Sequence, residues 1–200
     1  MSVVPDDLPV LPFADADAWE AWVTANADAK GVWLKIAKKD SGHATVTYAE
    51  ALDVALCHGW IDGQKRSFDA AWFLQRFTPR RPKGLWSKIN IGHVERLTAA
   101  GRMHEAGLAQ VAAAKADGRW DEAYEPPSTI AVPPDLAAAL EANPSARNAF
   151  EGLDGANRFA VLYRVTQVKK AETRARKIED FVAMLARGEV LHPPRKAKLK

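Results

Sequence analysis

Cysteine is almost absent from the chain: its 200 residues hold one, Cys57. A lone thiol closes no internal disulfide and builds no thiolate cage for zinc. Long apolar runs are missing as well. No stretch free of Asp, Glu, Lys and Arg exceeds nine residues, as in Ala106 to Ala114, against the roughly 20 that a membrane-spanning helix needs. No membrane span is expected. The amino terminus, Met-Ser-Val-Val-Pro-Asp-Asp, has acid where a secretory leader carries basic residues, and no apolar segment follows; a cytoplasmic protein is expected. A P-loop, a dinucleotide-binding glycine fingerprint and a Gly-x-Ser-x-Gly elbow are all missing. The histidines, His43, His58, His93, His104 and His192, form no pair at the spacing of a helical metal motif. Neither a metal nor an organic cofactor is expected.

What remains is the composition of an ordinary globular protein, with 48% hydrophobic and 26% charged residues, which excludes disorder and collagen-like repeats. The length suits one large domain or two small ones. The formal net charge of +3 hides alternating segments. Residues 1–30 carry one basic and six acidic side chains, residues 31–100 eleven and six, residues 101–150 four and seven, and residues 151–200 twelve and six.

Periodicity divides the chain into an α+β part and a helical part. Asp17 can cap a helix whose Trp19, Trp22 and Val23 recur at i, i+3, i+4. Gly31 to Lys39 alternates partly and reads as a strand, with Val32, Leu34 and Ile36 on one side, ending in a turn at Asp40 to Gly42. Thr47 and Glu50 have capping-box spacing. The helix they start buries Tyr48, Ala51, Leu52, Ala55 and Leu56 and stops at Gly59. Trp60 to Ser67 and Ala71 to Thr78 read as two further strands joined near Asp69. Together the three strands predict a small, mostly antiparallel sheet with packed helices. Beyond Pro82, a helix beginning at Ser87 or Asn90 turns Val94 and Leu97 inward and ends at Gly101. His104 to Gly118 is alanine-rich, with Leu108, Val111 and Ala112 as its stripe. Four prolines between Pro126 and Pro134 mark an extended connector. Helices over Pro134–Leu140, Pro144–Leu153, Ala156–Lys169 and Ala171–Arg187 follow, with Gly188 as a stop. The predicted organisation is an α+β domain over 1–125, a connector over 126–134, a helical region over 135–190 and a basic tail over 191–200.

The densest unusual residues are Leu56-Cys-His-Gly-Trp-Ile-Asp-Gly63, Phe77-Thr-Pro-Arg-Arg-Pro-Lys83 and Trp86-Ser-Lys-Ile-Asn90. In these motifs the sequence resembles the YdeI/OmpD-associated, or bacteriocin-protection, proteins. The similarity runs from about Trp19 through Trp120 to Tyr124 and continues more loosely into Glu172 to Ile178, which is similar to that family's late basic helix. The chain departs from the pattern at His58, where an aromatic is usual, and at Gly84, where a serine is common. The resemblance implies a small bacterial protein linked to survival of antimicrobial peptides or bacteriocins. It implies no particular reaction.

The residue chemistry leaves several readings open. Cys57 beside His58 has the look of a nucleophile and base. A cysteine at a helix carboxy terminus is nevertheless poorly placed for a thiolate, and adjacent helical residues point about 100° apart, so a buried thiol is the plainer reading. Asp62 can orient cations, act as a general base beside a cleft, or serve as a turn aspartate before Gly63. Arg80, Arg81, Ser87 and Lys88 lie close in sequence beside a helix start, which suits phosphate or carboxylate recognition or a solvated basic loop. Trp60 and Trp86 are core residues or, if half exposed, platforms for an aromatic anion such as a nucleotide. The expected site is a groove lined by Trp60, Asp62, Arg80, Arg81, Trp86, Ser87 and Lys88 that binds an anionic small molecule or a protein partner. One alternative is an enzyme using Asp62 with Cys57 or His58 in the same groove. Another is nucleic-acid binding through the basic helices at Lys169 to Lys177 and the tail at Arg195 to Lys200, which predicts steeply salt-dependent affinity.

Overall fold

The computed structural model describes Pro5 and residues 7–193, and it has the expected α+β class. Strands β1 (Val10–Leu11), β2 (Val32–Ala37), β3 (Trp60–Ser67) and β4 (Trp72–Pro79) form one sheet in the order β1-β2-β4-β3. The three expected strands pair antiparallel, and the two-residue β1 adds a parallel edge. At the opposite edge, β3 is bulged between Asp62 and Lys65 and exposes Gly63 to Ser67.

Alternation assigns the two faces of this sheet. Val32, Leu34 and Ile36 lie opposite Phe77, Gln75 and Phe73 and face the helices. The other face is closed by cations on aromatic rings. Trp33 is fully buried there, with the Arg66 and Arg76 guanidiniums 5.0 and 5.9 Å from its ring centre, while Lys35 lies 4.6 Å from that of Trp72. The long aliphatic stems of these side chains allow them to cover apolar surface with their charges in water.

Helix α1 (Ala16–Ala25) is capped by Asp15, whose carboxylate accepts the Ala18 N–H at 2.8 Å. Asp17, the expected cap, lies in the first turn. Trp19 enters the core, and its indole N–H donates to the Ala51 carbonyl at 3.1 Å. Helix α2 (Tyr48–Cys57) has the predicted capping box between Thr47 and Glu50. Tyr48 departs from the expected buried stripe: it is 38% exposed and its hydroxyl donates to Asp62 at 2.9 Å. Ser87 caps α3 (Lys88–Ala99), which turns Val94 and Leu97 inward as expected. Helix α4 (Glu105–Ala116) corrects another expectation. Its buried positions are Gly107 and Ala114; of the expected stripe Val111 packs against the core, whereas Leu108 and Ala112 are exposed.

These elements form one compact unit, Met1–Ala123, and Tyr124–Lys200 forms a second. The second unit contains α5 (Pro134–Glu141), α6 (Pro144–Glu151), α7 (Gly155–Thr166) and α8 (Ala171–Ala186). Its core includes Leu136, Phe150, Leu162, Phe181 and Leu185. The proline-rich segment contributes to it, since Ile130 and Val132 pack against the same core. Asn143 and Asp154 cap α6 and α7 through the N–H groups of Ala146 and Asn157. Among the described residues, no helix is long and apolar enough to cross a membrane. The basic tail, Arg195 to Lys200, lies outside the described residues.

Candidate functional site

Two neighbouring cavities in the first unit gather the chemistry. The larger, about 590 Å³, lies over the end of β4 and the loop that follows it, lined by Lys30, Arg76, Arg80 and Arg81 among others. Four basic residues are among its lining residues, and that lining includes no acidic residue.

The loop holding Arg80 and Arg81 is anchored at several points. Arg80 is 8% exposed and stacks on Trp86, its guanidinium carbon 3.7 Å from the ring centre. Its backbone N–H donates to the Gly59 carbonyl at 3.0 Å. Farther along, Arg119 donates to the Gly84 carbonyl at 2.8 Å, and Trp86 packs on Trp120 at 5.0 Å. Arg76 is joined to Asp7 at 3.2 Å. Asp7 is held below the usual carboxylate range first by the hydrogen bond from the Trp33 indole, with the Arg76 charge adding to it.

The expected site residues are only partly brought together. Arg80 and Arg81 line the large cavity. Trp60 and Trp86 are core residues, 3% and 2% exposed; Trp86 is the surface on which Arg80 lies. Ser87 is buried and spends its hydroxyl on the α3 cap, accepting the Asn90 N–H at 3.2 Å. Lys88 is an exposed first residue of α3. Asp62 is bound by Tyr48, whose ionisation is pushed upward by burial and by the Asp62 charge. Cys57 is fully buried, and burial pushes its thiol up, away from a reactive thiolate. No hydrogen bond joins Asp62 to Cys57 or His58 among the described residues.

His58 instead belongs to a cluster that lines the second cavity, of about 310 Å³, together with His104, Trp60, Gln110, Pro79 and Arg80. Its Nε2 lies 2.9 Å from Glu20 Oε1, and His104 Nε2 lies 3.1 Å from the same oxygen. The two imidazoles stack with centres 3.9 Å apart. The bond to His58 is the main cause holding the Glu20 carboxyl below its usual range, and the bond to His104 adds to it.

The backbone explains why these rings meet. His58 is the residue after α2 and His104 the residue before α4, and the His104 N–H donates to the Cys57 carbonyl at 3.1 Å. Gly59, at φ +76°, turns the chain after α2, and a side chain there would meet the Ala106 carbonyl oxygen at 2.9 Å. Gly107 faces the end of α2 so closely that a Cβ would lie 2.2 Å from the Cys57 carbonyl oxygen. Glycine at both positions therefore brings the two helix ends into contact and sets the histidines face to face. Pro79 and Arg80 line both cavities.

Comparison with known families divides the chain much as the structure does. A family model described as a domain of unknown function, DUF8412, matches residues 11–110, and one described as bacteriocin-protection, YdeI or OmpD-associated, matches residues 129–188. The chain belongs to the DUF8412 family and carries a YdeI/OmpD-associated domain. The resemblance read from the sequence is thus borne out, with the match falling on the helical unit. Of the motifs that suggested it, Glu172 to Ile178 falls inside that match. Leu56 to Gly63, Phe77 to Lys83 and Trp86 to Asn90 fall inside the DUF8412 domain. No curated protein and no solved structure matches the chain. Both cavities and the histidine cluster lie in the DUF8412 domain. In the YdeI/OmpD-associated domain, several cations of the basic helix have partners: Arg174 is bound by Asp135 and the Val165 carbonyl, and Arg176 by Glu172.

Lys30, Arg76, Glu20 and His104 escaped sequence reasoning because none lies in the motif-rich segments. Each reaches its cavity or cluster from a different element or loop.

Proposed function

We propose that the DUF8412 domain binds an anionic small molecule, one bearing phosphate or carboxylate groups, in the cavity over β4. The observation that carries this reading is the convergence of Lys30, Arg76, Arg80 and Arg81 on one cavity with no acidic residue in its lining. Guanidinium forks suit planar or tetrahedral oxyanions. The anchoring of the loop supports the reading further, because a site held in place before binding loses less entropy on binding. The bacteriocin-protection description of the family matched by residues 129–188 supports the setting we infer: a bacterial protein that aids survival of such attack by binding a small anion.

The test uses the exposed cations. Arg80 is buried against Trp86, so replacing it disturbs the fold along with any ligand. Lys30 and Arg81 are exposed. Thermal-shift titration with phosphate, pyrophosphate, ATP and citrate should raise the melting temperature with at least one of them, since a ligand selective for the folded state stabilises it. The shift should disappear in the double variant Lys30→Glu/Arg81→Glu and shrink with added salt. A full shift in that variant, or none with any anion, would overturn the assignment.

A further inference from the structure

We propose that Glu20, His58 and His104 form a binding site for a divalent transition-metal ion of the zinc type, with one coordination position open to the adjoining cavity. The site stands independently of anion binding in the larger cavity.

Three observations carry the proposal. The first is the donor set. One ligand atom from each residue lies within 4.8 Å of the others, and two imidazoles with one carboxylate are a donor combination that holds zinc while leaving a fourth position free.

The second is distance. At zinc bond lengths of about 2.0–2.2 Å, tetrahedral geometry spaces the donors about 3.3 Å apart. The carboxylate oxygen lies 2.9 Å from one Nε2 and 3.1 Å from the other, and all three donor atoms lie within 4.8 Å of one another, so an ion is admitted once the stacked rings turn apart to aim both nitrogens at it. Both histidines present the same nitrogen, Nε2, toward that oxygen. A metal would replace the two hydrogen bonds to Glu20 with bonds to itself while keeping all three side chains on their present helices.

The third is construction. The donors come from α1, the end of α2 and the start of α4, and the two glycine contacts and the His104 to Cys57 backbone bond fix the helix ends that carry the imidazoles. A preformed ligand set of this kind lowers the cost of ordering on binding. His58 and His104 also line a cavity of about 310 Å³, which has room for a water or a small ligand at the open position. Among the five histidines of the chain, only these two join such a cluster among the described residues.

The experiment is equilibrium dialysis of chelator-treated full-length protein against zinc, with cobalt(II) as an optical probe. One equivalent of zinc should bind, and cobalt should give the intense visible absorption of a low-coordinate site. His104 is exposed and its side chain makes no helix-capping bond, so His104→Ala should keep its circular dichroism while losing zinc affinity at least about tenfold, the least expected when even an outer partner of a metal ligand is removed. Glu20→Gln should do the same, and His43→Ala should bind as the parent does. Absence of bound zinc at micromolar concentration would overturn the proposal. So would unchanged affinity in folded His104→Ala, or equal loss in His43→Ala.

Discussion

At the scale of single residues, Glu20 links acidity to stability. Its folded carboxyl is held below the usual range, chiefly by the bond to His58, so its stabilising contribution is present above the ordinary glutamate value of about 4.3. It is lost as the pH falls through the lowered folded value. Urea denaturation of metal-free protein should therefore show the parent more stable than Glu20→Gln near neutrality, with the gap closing on acidification. A gap that stays constant with pH would contradict this. The role of Glu20 was invisible in the sequence because its partners lie 38 and 84 positions away. Other residues were more legible. A cysteine at a helix end pointed to a buried thiol, and Cys57 is buried; Arg80 and Arg81 were singled out, and both line the cavity. Trp60 and Trp86 illustrate what a sequence leaves open, because an aromatic beside cations reads first as core and, if half exposed, as a platform. Burial resolves it: both are core, with Trp86 carrying Arg80 on its face.

At the scale of elements, the packing of α4 on α2 depends on the absence of side chains. Gly107→Ala would place a Cβ against the Cys57 carbonyl, where backbone has to yield. Overpacking of this kind costs about 1–3 kcal/mol, to be read from the shift in urea midpoint, and displacement of His104 should weaken zinc binding in the same variant. A stability within about 0.5 kcal/mol of the parent would show that the helices separate freely. The same close approach explains why periodicity misassigned this helix. A stripe of large residues usually marks the buried face, but here the buried positions are Gly107 and Ala114; of the expected stripe Val111 packs against the core, while Leu108 is left outside. Tyr48 failed for a different reason: its ring continues the apolar spacing of α2, but its hydroxyl is drawn to Asp62. Elements announced by local chemistry, such as the Thr47 capping box and the β2, β3 and β4 strands, were readable. Strand β1 was not, because two residues carry no period.

At the scale of the whole molecule, two separate hydrophobic cores serve two units. All seven tryptophans, from Trp19 to Trp120, fall in the first, whereas helices occur in both. Tryptophan fluorescence should therefore follow denaturation of the first unit alone, and circular dichroism should follow both. Non-coincident urea transitions by the two probes are expected, since separate cores need not unfold as one two-state system. Superimposable curves would show that the units unfold together.

The borders of the sheet bear on how the protein withstands crowding. One border is a strand of two residues, and the other is bulged and exposes Gln64, Lys65 and Arg66. A second chain seeking to extend the ladder meets a two-residue strand at the first border and, at the second, a bulged backbone flanked by the Lys65 and Arg66 side chains. Fibre growth by strand addition is disfavoured at both ends, even though the sheet between them is rich in aromatic and aliphatic side chains.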